Sequence, residues 1–308
     1  MKRSRSSPLA TSLKTAISVR FWGVRGSIPT PGRSTLRYGG NTSCVEVRWK
    51  NDLIILDAGT GIRKLGAQLS EEFGGRPIDL TLLLTHTHWD HIQGFPFFRP
   101  AYQAKNRITV LGGGRTKHGI RDLLNDQMES PFFPVGLRDL PSSISMRPLP
   151  ASPFAVGEVR VEAIRVNHPG FCVGFRLSTP GGSLAYFPDN ELAARLPTKT
   201  PRRLTDAGLA EFIRGVDLLI MDTQYDRARY PEHAGWGHGC LDDVVALAAG
   251  ADVKQLCLFH HDPDHSDAKI DAMLTYARQL ARRQDGRMKV VAAQENSVLS
   301  VGVSSKAS

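Results

Sequence analysis

The stretch Leu80-Thr81-Leu82-Leu83-Leu84-Thr85-His86-Thr87-His88-Trp89-Asp90-His91 sets three imidazoles and a carboxylate within six positions, directly behind an apolar run. The run LTLLL reads as a buried strand. On an extended segment His86 and His88 point to the same side, and a following turn brings Asp90 and His91 around toward a second point nearby. That arrangement suits two metal ions rather than one. Packing all four groups at a strand end with no cation would bury imidazoles and a carboxylate without compensation.

Working outward, further ligand-type residues recur where apolar runs end. They are His168 in VNHPG, Asp189 in YFPDN, Asp222 in LLIMDTQY and His260 in LCLFHHDP. Singly each is a weak signal; together they supply the nitrogens and bridging carboxylate of a dinuclear site. The runs themselves, ISVRFWGV, CVEVRW, NDLIILDAG, DLTLLLT, RITVLG, SISMRPL, GEVRVEAIRVN, CVGFRLST, SLAYF, VDLLIMD, QLCLFH and MKVVAA, predict strands. Helical periodicity covers residues 62–73, 118–127, 209–214, 241–249 and 268–283. Many strands precede the first regular alternation with helices, so two sheets with helices outside them fit better than one doubly wound sheet.

The chain has 308 residues, 41% hydrophobic, 22% charged and 7% aromatic, which excludes a peptide hormone, a fibrous chain and a disordered one. Residues 1–16, with Lys2, Arg3, Arg5 and Lys14, read as a disordered basic arm, and residues 17–308 as a single domain, with TPRRLTDAG as an exposed insertion. Cys44, Cys172, Cys240 and Cys257 lie far apart with no CxxC pair, the usage of free thiols in a reducing compartment. No apolar run reaches the roughly 18–20 residues of a membrane span, so a soluble cytoplasmic protein is expected. The net charge, 39 minus 30 or +9, favours anionic partners and equally fits solvated helix faces.

The motif THTHWDH, residues 85–91, resembles the HxHxDH signature of the metallo-β-lactamase superfamily. The resemblance extends over about residues 17–303 and implies the αββα sandwich, two mixed β-sheets flanked by helices, with metal ligands on loops at one edge. Within that superfamily the chain is similar to the ribonuclease Z and cyclic phosphodiesterase branch, above all to anti-Pycsar-like enzymes that degrade cyclic nucleotides, through FWGVRGS at 21–27 and YGGNTSCVEV at 38–47. Carried over by position, the resemblance assigns His86, His88 and His168 to one metal, Asp90, His91 and His260 to a second, and Asp189 as the bridge. His261 is the rival for the last place; His261, Asp262, His265 and Asp267 are candidates to orient the ligand imidazoles. The branch has an acidic residue after a later strand and then a histidine opening a helix. Asp222 and His238 stand in that order, with His238 as general acid and Asp222 holding its ring. One departure is Gly239, where the branch usually carries a Ser or Thr able to cap the helix.

The implied activity is a dinuclear-metal phosphodiesterase in which a metal-bound hydroxide opens 3′,5′-cyclic mononucleotides, with Asp90, Asp222 and His238 in catalysis. Zinc is the default metal, manganese or iron the alternatives. Only 21 positions separate His168 from Asp189, where bacterial ribonuclease Z enzymes insert a tRNA-gripping arm, so a small substrate is preferred to nucleic acid. The alternatives are a ribonuclease Z-like RNA 3′-end endonuclease, a phosphoribosyl cyclic phosphodiesterase, and a metal-free scaffold on the same fold, which would be expected to have lost ligands. A homodimer is the expected assembly. Candidate substrate contacts are the LDAGTG turn at 56–61, Arg25, Asn41, Ser43, the PFFPVGL stretch at 131–137, and Tyr225, Tyr230 and Trp236 for base stacking.

Overall fold

A computed structural model describes residues 16–113, 119–284 and 286–302. All of the expected basic arm except Ala16 lies outside those residues, as does His118 at the start of the helix expected over 118–127. The chain lays down β1 (Ile17–Gly23), β2 (Cys44–Trp49), β3 (Asp52–Leu56), β4 (Asp79–Leu84), β5 (Arg107–Gly112) and β6 (Ser143–Arg147), then β7 (Phe154–Val156), β8 (Val159–Arg165), β9 (Val173–Thr179), β10 (Gly182–Phe187), β11 (Leu218–Asp222), β12 (Gln255–Phe259) and β13 (Lys289–Ala292), and closes with β14 (Val298–Val301). These form two seven-stranded sheets, in the orders β14-β1-β2-β3-β4-β5-β6 and β13-β12-β11-β10-β9-β8-β7. Both are mixed: β3 to β6 and β10 to β13 run parallel, the rest antiparallel. The chain therefore has the two-sheet architecture expected from its sequence. The short edge strands β7 and β14 were not legible in it.

Apolar side chains from the inner faces, among them Phe21, Val47 and Leu56 opposite Phe175, Leu184 and Ile220, fill the space between the sheets. Helices cover the outer faces. Helix α1 (Ile62–Phe73) presents Ile62, Leu65 and Leu69 at helical spacing to Ile55 and Leu82. Helix α2 is the single turn Trp89–Ile92, and α3 (Ile120–Asp126) adds Ile120 and Leu124 to the same layer. On the other side lie α4 (Asp206–Ile213), started by Thr205, whose hydroxyl accepts from the Gly208 N–H at 3.0 Å, α5 (Leu241–Gly250) and α6 (Asp267–Gln284). Buried Ile270, Met273, Ala277 and Ala281 mark the inner face of α6. With both faces of each sheet covered, central strands bury consecutive residues, as Leu82, Leu83 and Leu84 do.

In TPRRLTDAG residues 201–203, Thr205 and Ala207 are exposed, whereas Leu204 is buried, with its backbone bonded to the Asn167 amide. All four cysteines are buried and free. Among the described residues no helix is long and apolar enough to cross a membrane.

Candidate metal centre

The site sits where strands of both sheets end. β4 leads into Thr85 to His91, β8 into His168, β10 into Asp189, β11 terminates at Asp222 and β12 runs into His260, the usual place for a site in an open α/β sheet. His88 is extended and α2 begins just after it, so His86 and His88 face one way and Asp90 and His91 another, as alternation followed by a turn requires. Two separate groups of ligand-type atoms result, His86, His88, His168 and Asp189 in one and Asp90, His91 and His260 in the other, and a third set, Asp189, His238 and His260, overlaps both; in each the ligand atoms lie within 4.8 Å of one another. Asp189 lies between the two groups: Oδ2 is 3.7 Å from His86 Nε2 and 3.5 Å from His168 Nε2, while Oδ1 is 3.0 Å from His91 Nε2 and 3.3 Å from His260 Nε2.

A ring of partners holds the second group. Asp57, buried at the end of β3, accepts from His91 Nδ1 at 2.9 Å, the Tyr186 hydroxyl at 2.9 Å, and the Thr85 N–H and hydroxyl. The Ser27 N–H donates to Asp90 Oδ2 at 2.8 Å, and Gln224 Oε1 is 3.0 Å from His260 Nδ1. Gly26 packs flat on the His260 ring; a Cβ there would lie 2.4 Å from Cε1. Ser27, Asp57 and His260 have positive φ, three of the six described non-glycine residues that do. Such backbone costs about 1–3 kcal/mol per residue and persists where surrounding structure enforces it. None of Gly26, Ser27, Asp57 and Gln224 was singled out as such a support by sequence reasoning. The signal for Asp57 was an acidic residue ending an apolar run in LIILDAG; Gly26 and Ser27 lay within FWGVRGS without a stated role.

Three atoms in the centre, His86 Nε2, His91 Nε2 and Asp189 Oδ1, are buried without a hydrogen-bond partner; the last two are 3.0 Å apart but misaligned for a bond. Buried polar atoms are rarely left so, and a cation is what this donor set fits. Burial holds His86 and His88 below their ordinary range and brings His168 to about 4, so these imidazoles are neutral and ready to ligate. Burial works against charge on His91 too, yet Asp90, Asp189 and Asp57 outweigh it and hold that imidazole well above its usual range. Burial likewise pushes Asp189 up, but His260, His91, His168 and His86 keep it well below the carboxylate range. This is the electrostatics of a cation cage.

His238 stands beside both groups. Its ring is stacked on His260 with centroids 5.2 Å apart and edge-on to His168 at 5.3 Å, and its Nδ1 lies 2.9 Å from buried Asp222 Oδ2. Burial opposes its charge, but Asp222 prevails and raises it to about 9. The pairing follows from topology, because residues 223–225 leave β11 alongside 239–241: the Tyr225 N–H donates to the Gly239 carbonyl and the Leu241 N–H to the Tyr225 carbonyl. Gly239 is not the helix cap. Cys240 occupies that position, and a Cβ at 239 would lie 2.2 Å from the Asp222 carbonyl oxygen.

Several softer expectations change. His261, the rival to His260, turns away, its Nε2 2.9 Å from the Ala293 carbonyl and its ring against Tyr38. None of His261, Asp262, His265 and Asp267 bonds to a cluster imidazole. Asp262 reaches His260 only through Gln224 at 3.2 Å, the His265 carbonyl serves Arg25, and Asp267 binds the Arg37 and Tyr38 N–H groups. The LDAGTG turn offers no free phosphate cradle, since the N–H groups of Ala58, Gly59, Thr60 and Gly61 are taken by His91, Ser43 and Thr42. Arg25 and Asn41 fix loops, Arg25 through the Gly39, Asp262 and His265 carbonyls and Asn41 through Glu295; Ser43 is buried. Phe133 packs against Phe97, Leu137 enters the core, and Phe132 is exposed. Tyr225 is buried against His233, Tyr230 bonds Glu191, and only Trp236, 58% exposed, presents a broad aromatic surface.

A two-sheet sandwich with histidines and aspartates gathered at its strand ends, in a set suited to divalent cations, defines a class of metal-binding hydrolases. The family model for the beta-lactamase superfamily domain matches residues 53–261, and the chain belongs to that family, the metallo-β-lactamase superfamily. Ribonuclease Z of Thermoplasma acidophilum is 24% identical over 291 residues, covering 82% of this chain and 89% of its own. Among solved structures, unliganded yeast PDE1 superposes with a TM-score of 0.67 at 15% identity, covering 94% of this chain and 99% of that one. The short form of human tRNase Z does so with a TM-score of 0.62 at 20% identity, covering 93% and 100%.

Proposed function

We propose that this protein is a dinuclear metal phosphodiesterase that hydrolyses 3′,5′-cyclic mononucleotides to nucleoside monophosphates. The observation that carries the reading is the His238–Asp222 pair set against both ligand groups. His86, His88 and His168 would hold one cation, Asp90, His91 and His260 a second, and Asp189 would give one oxygen to each. Bound divalent cations, zinc by preference for this nitrogen-rich set, supply Lewis acidity to the phosphoryl oxygens and lower the pKa of water.

The chain's own residues do the rest. With Nδ1 turned to Asp222, the His238 Nε2–H is the proton free to reach a leaving oxygen, and the raised affinity for that proton keeps the acid form populated at neutral pH. Burial of Asp222 keeps the carboxylate from being spent on water. A small substrate is supported by the β9–β10 hairpin, in which only Pro180 and Gly181 separate strands paired from Thr179↔Gly182 onward. No arm that would grip a folded RNA projects there, which supports a small phosphodiester.

The second reading, an RNA 3′-end endonuclease, is favoured by the ribonuclease Z relatives that align over most of the chain. A panel of cAMP, cGMP, cCMP, cUMP and a tRNA precursor, offered to zinc- and manganese-loaded protein beside His88→Ala, separates the two. Metal-dependent opening of the cyclic nucleotides, lost in the variant, is expected. Cleavage of the precursor alone, falling steeply with salt, would overturn the substrate and keep the site.

A further inference from the structure

Glu191 is a fully buried carboxylate two residues beyond Asp189, and neither ligand group uses it. It accepts the Gly235 N–H at 2.9 and 3.1 Å, the Gly237 N–H at 2.8 Å, and the Tyr230 hydroxyl. All three donors lie on residues 230–237, the segment that delivers His238. Gly235 and Gly237 both have φ of 89°, a conformation with many alternatives open to it unless something selects one. Beyond the carboxylate, the Glu191 N–H donates to the Asn167 carbonyl at 2.9 Å, and the Gly237 carbonyl lies 3.0 Å from His168 Nδ1. Glu191 thus ties the three segments together, its side chain holding the one that leads to His238 and its backbone N–H the one that leads to His168, two residues beyond Asp189.

We infer that Glu191 is the positioning residue for the general acid, selecting the one path of residues 230–237 that aims His238 Nε2 at the leaving oxygen. This rests on the reading of His238 as the acid of a phosphodiesterase. In that step a water oxygen bonds to phosphorus and the P–O bond to the leaving oxygen breaks, its electron pair staying on oxygen. The His238 proton passes to that oxygen, the water's proton goes to solvent, and solvent reprotonates the imidazole. Asp222 fixes one end of the ring; Glu191 fixes the backbone from which the ring hangs.

Glu191→Gln keeps the volume but in either orientation turns an NH2 group toward the Gly235 N–H, and in one toward the Gly237 N–H as well, so donor faces donor in a buried place. The test compares wild type, Glu191→Gln and His238→Ala on cAMP, whose alkoxide leaving group needs a proton, and on bis(p-nitrophenyl) phosphate, whose p-nitrophenolate leaves without one. Glu191→Gln is expected to lose about 10–100-fold in turnover of cAMP, with a loss about tenfold smaller on the nitrophenyl diester and two metal equivalents retained, following the pattern of His238→Ala. Equal losses on both substrates, or loss of metal, would overturn the inference. Should Glu191→Gln fail to fold, Tyr230→Phe, which removes one of the donors, must show the same dependence on leaving group in smaller degree. Equal losses in His238→Ala itself would instead sink the acid assignment. A wild type inactive on cAMP would sink only the cyclic-nucleotide reading, and the comparison would then be run with an RNA oligonucleotide.

Discussion

The two ligand groups are built differently. His91 and His260 are completely buried, Asp90 nearly so, and each has a fixed partner in Asp57, Gln224 or the Ser27 N–H. In the other group His88 is exposed and, among the described residues, its ring contacts and hydrogen bond are with fellow histidines, with Nδ1 3.0 Å from His168 Nε2. His86 leans on the Thr85 hydroxyl at 3.0 Å and His168 on one carbonyl. The difference teaches that half of the centre is an extension of the core between the sheets, shaped before any cation arrives. In the other half His86, His168 and Asp189 are buried as well, but His88 faces outward and the imidazoles have fewer fixed partners, so this half owes more of its order to the ion itself.

The comparison breaks first at Asp57. Asp57→Asn turns an NH2 group toward one of the buried donors that meet there, His91, Tyr186 and Thr85, and is expected to cost about 3–5 kcal/mol of unfolding free energy. Metal affinity of the buried group should fall about 10–100-fold with it. Chemical denaturation with metal competition measures both, and an unchanged denaturation midpoint would mean that the inner half is not prebuilt. Gly26→Ala comes next. Its Cβ would drive into the His260 ring, at about 1–3 kcal/mol for overpacking, and titration calorimetry should then find one metal equivalent weakened and the other retained.

His88→Ala is the matching probe of the outer half. In metal-free protein its effect on stability should stay within about 0.5 kcal/mol, as for a surface residue, although one metal equivalent weakens. A large loss of apo stability would erase the distinction between the halves. The smallest effect is a titration. In metal-free protein His238 stays protonated at neutral pH, because its affinity is raised above the ordinary 6.5 to about 9. The stability from its pairing with Asp222 is present below the ordinary value and lost as pH rises through about 9. Asp222→Asn removes the charge that outweighs burial, so histidine NMR should find the His238 titration moved below 6.5.

Much of the fold was legible because both sheets obey local patterning. The run LTLLL, the alternation in VRVEAIR and the helix over 62–73 all stand where periodicity places them. The four-residue β14 and three-residue β7 escaped because each gains its hydrogen bonds from a neighbour rather than from a pattern of its own. At the site, sequence reasoning brought forward residues that the fold does gather: His86, His88, Asp90, His91, His168, Asp189, His260, Asp222 and His238. It proposed the LDAGTG turn as a phosphate cradle because a glycine-rich strand-to-helix turn resembles one. Whether its N–H groups are free depends on Thr42, Ser43 and His91.

What the sequence by itself determined is therefore the inventory of ligand-type groups and the strands that carry them, since residue type and short-range spacing are local properties. The preference for His260 over adjacent His261 came from resemblance alone; its physical reason is tertiary, a left-handed turn at His260 that sends one ring into the centre and the other against Tyr38. The same holds for the partners that hold the centre. Asp57 meets His91 across 34 positions, Ser27 meets Asp90 across 63, and His260 meets Asp90 across 170. No window along the chain contains such pairs: strand pairing within the first sheet brings Asp57 to His91 and Ser27 to Asp90, and the packing of the second sheet on the first brings His260 to Asp90.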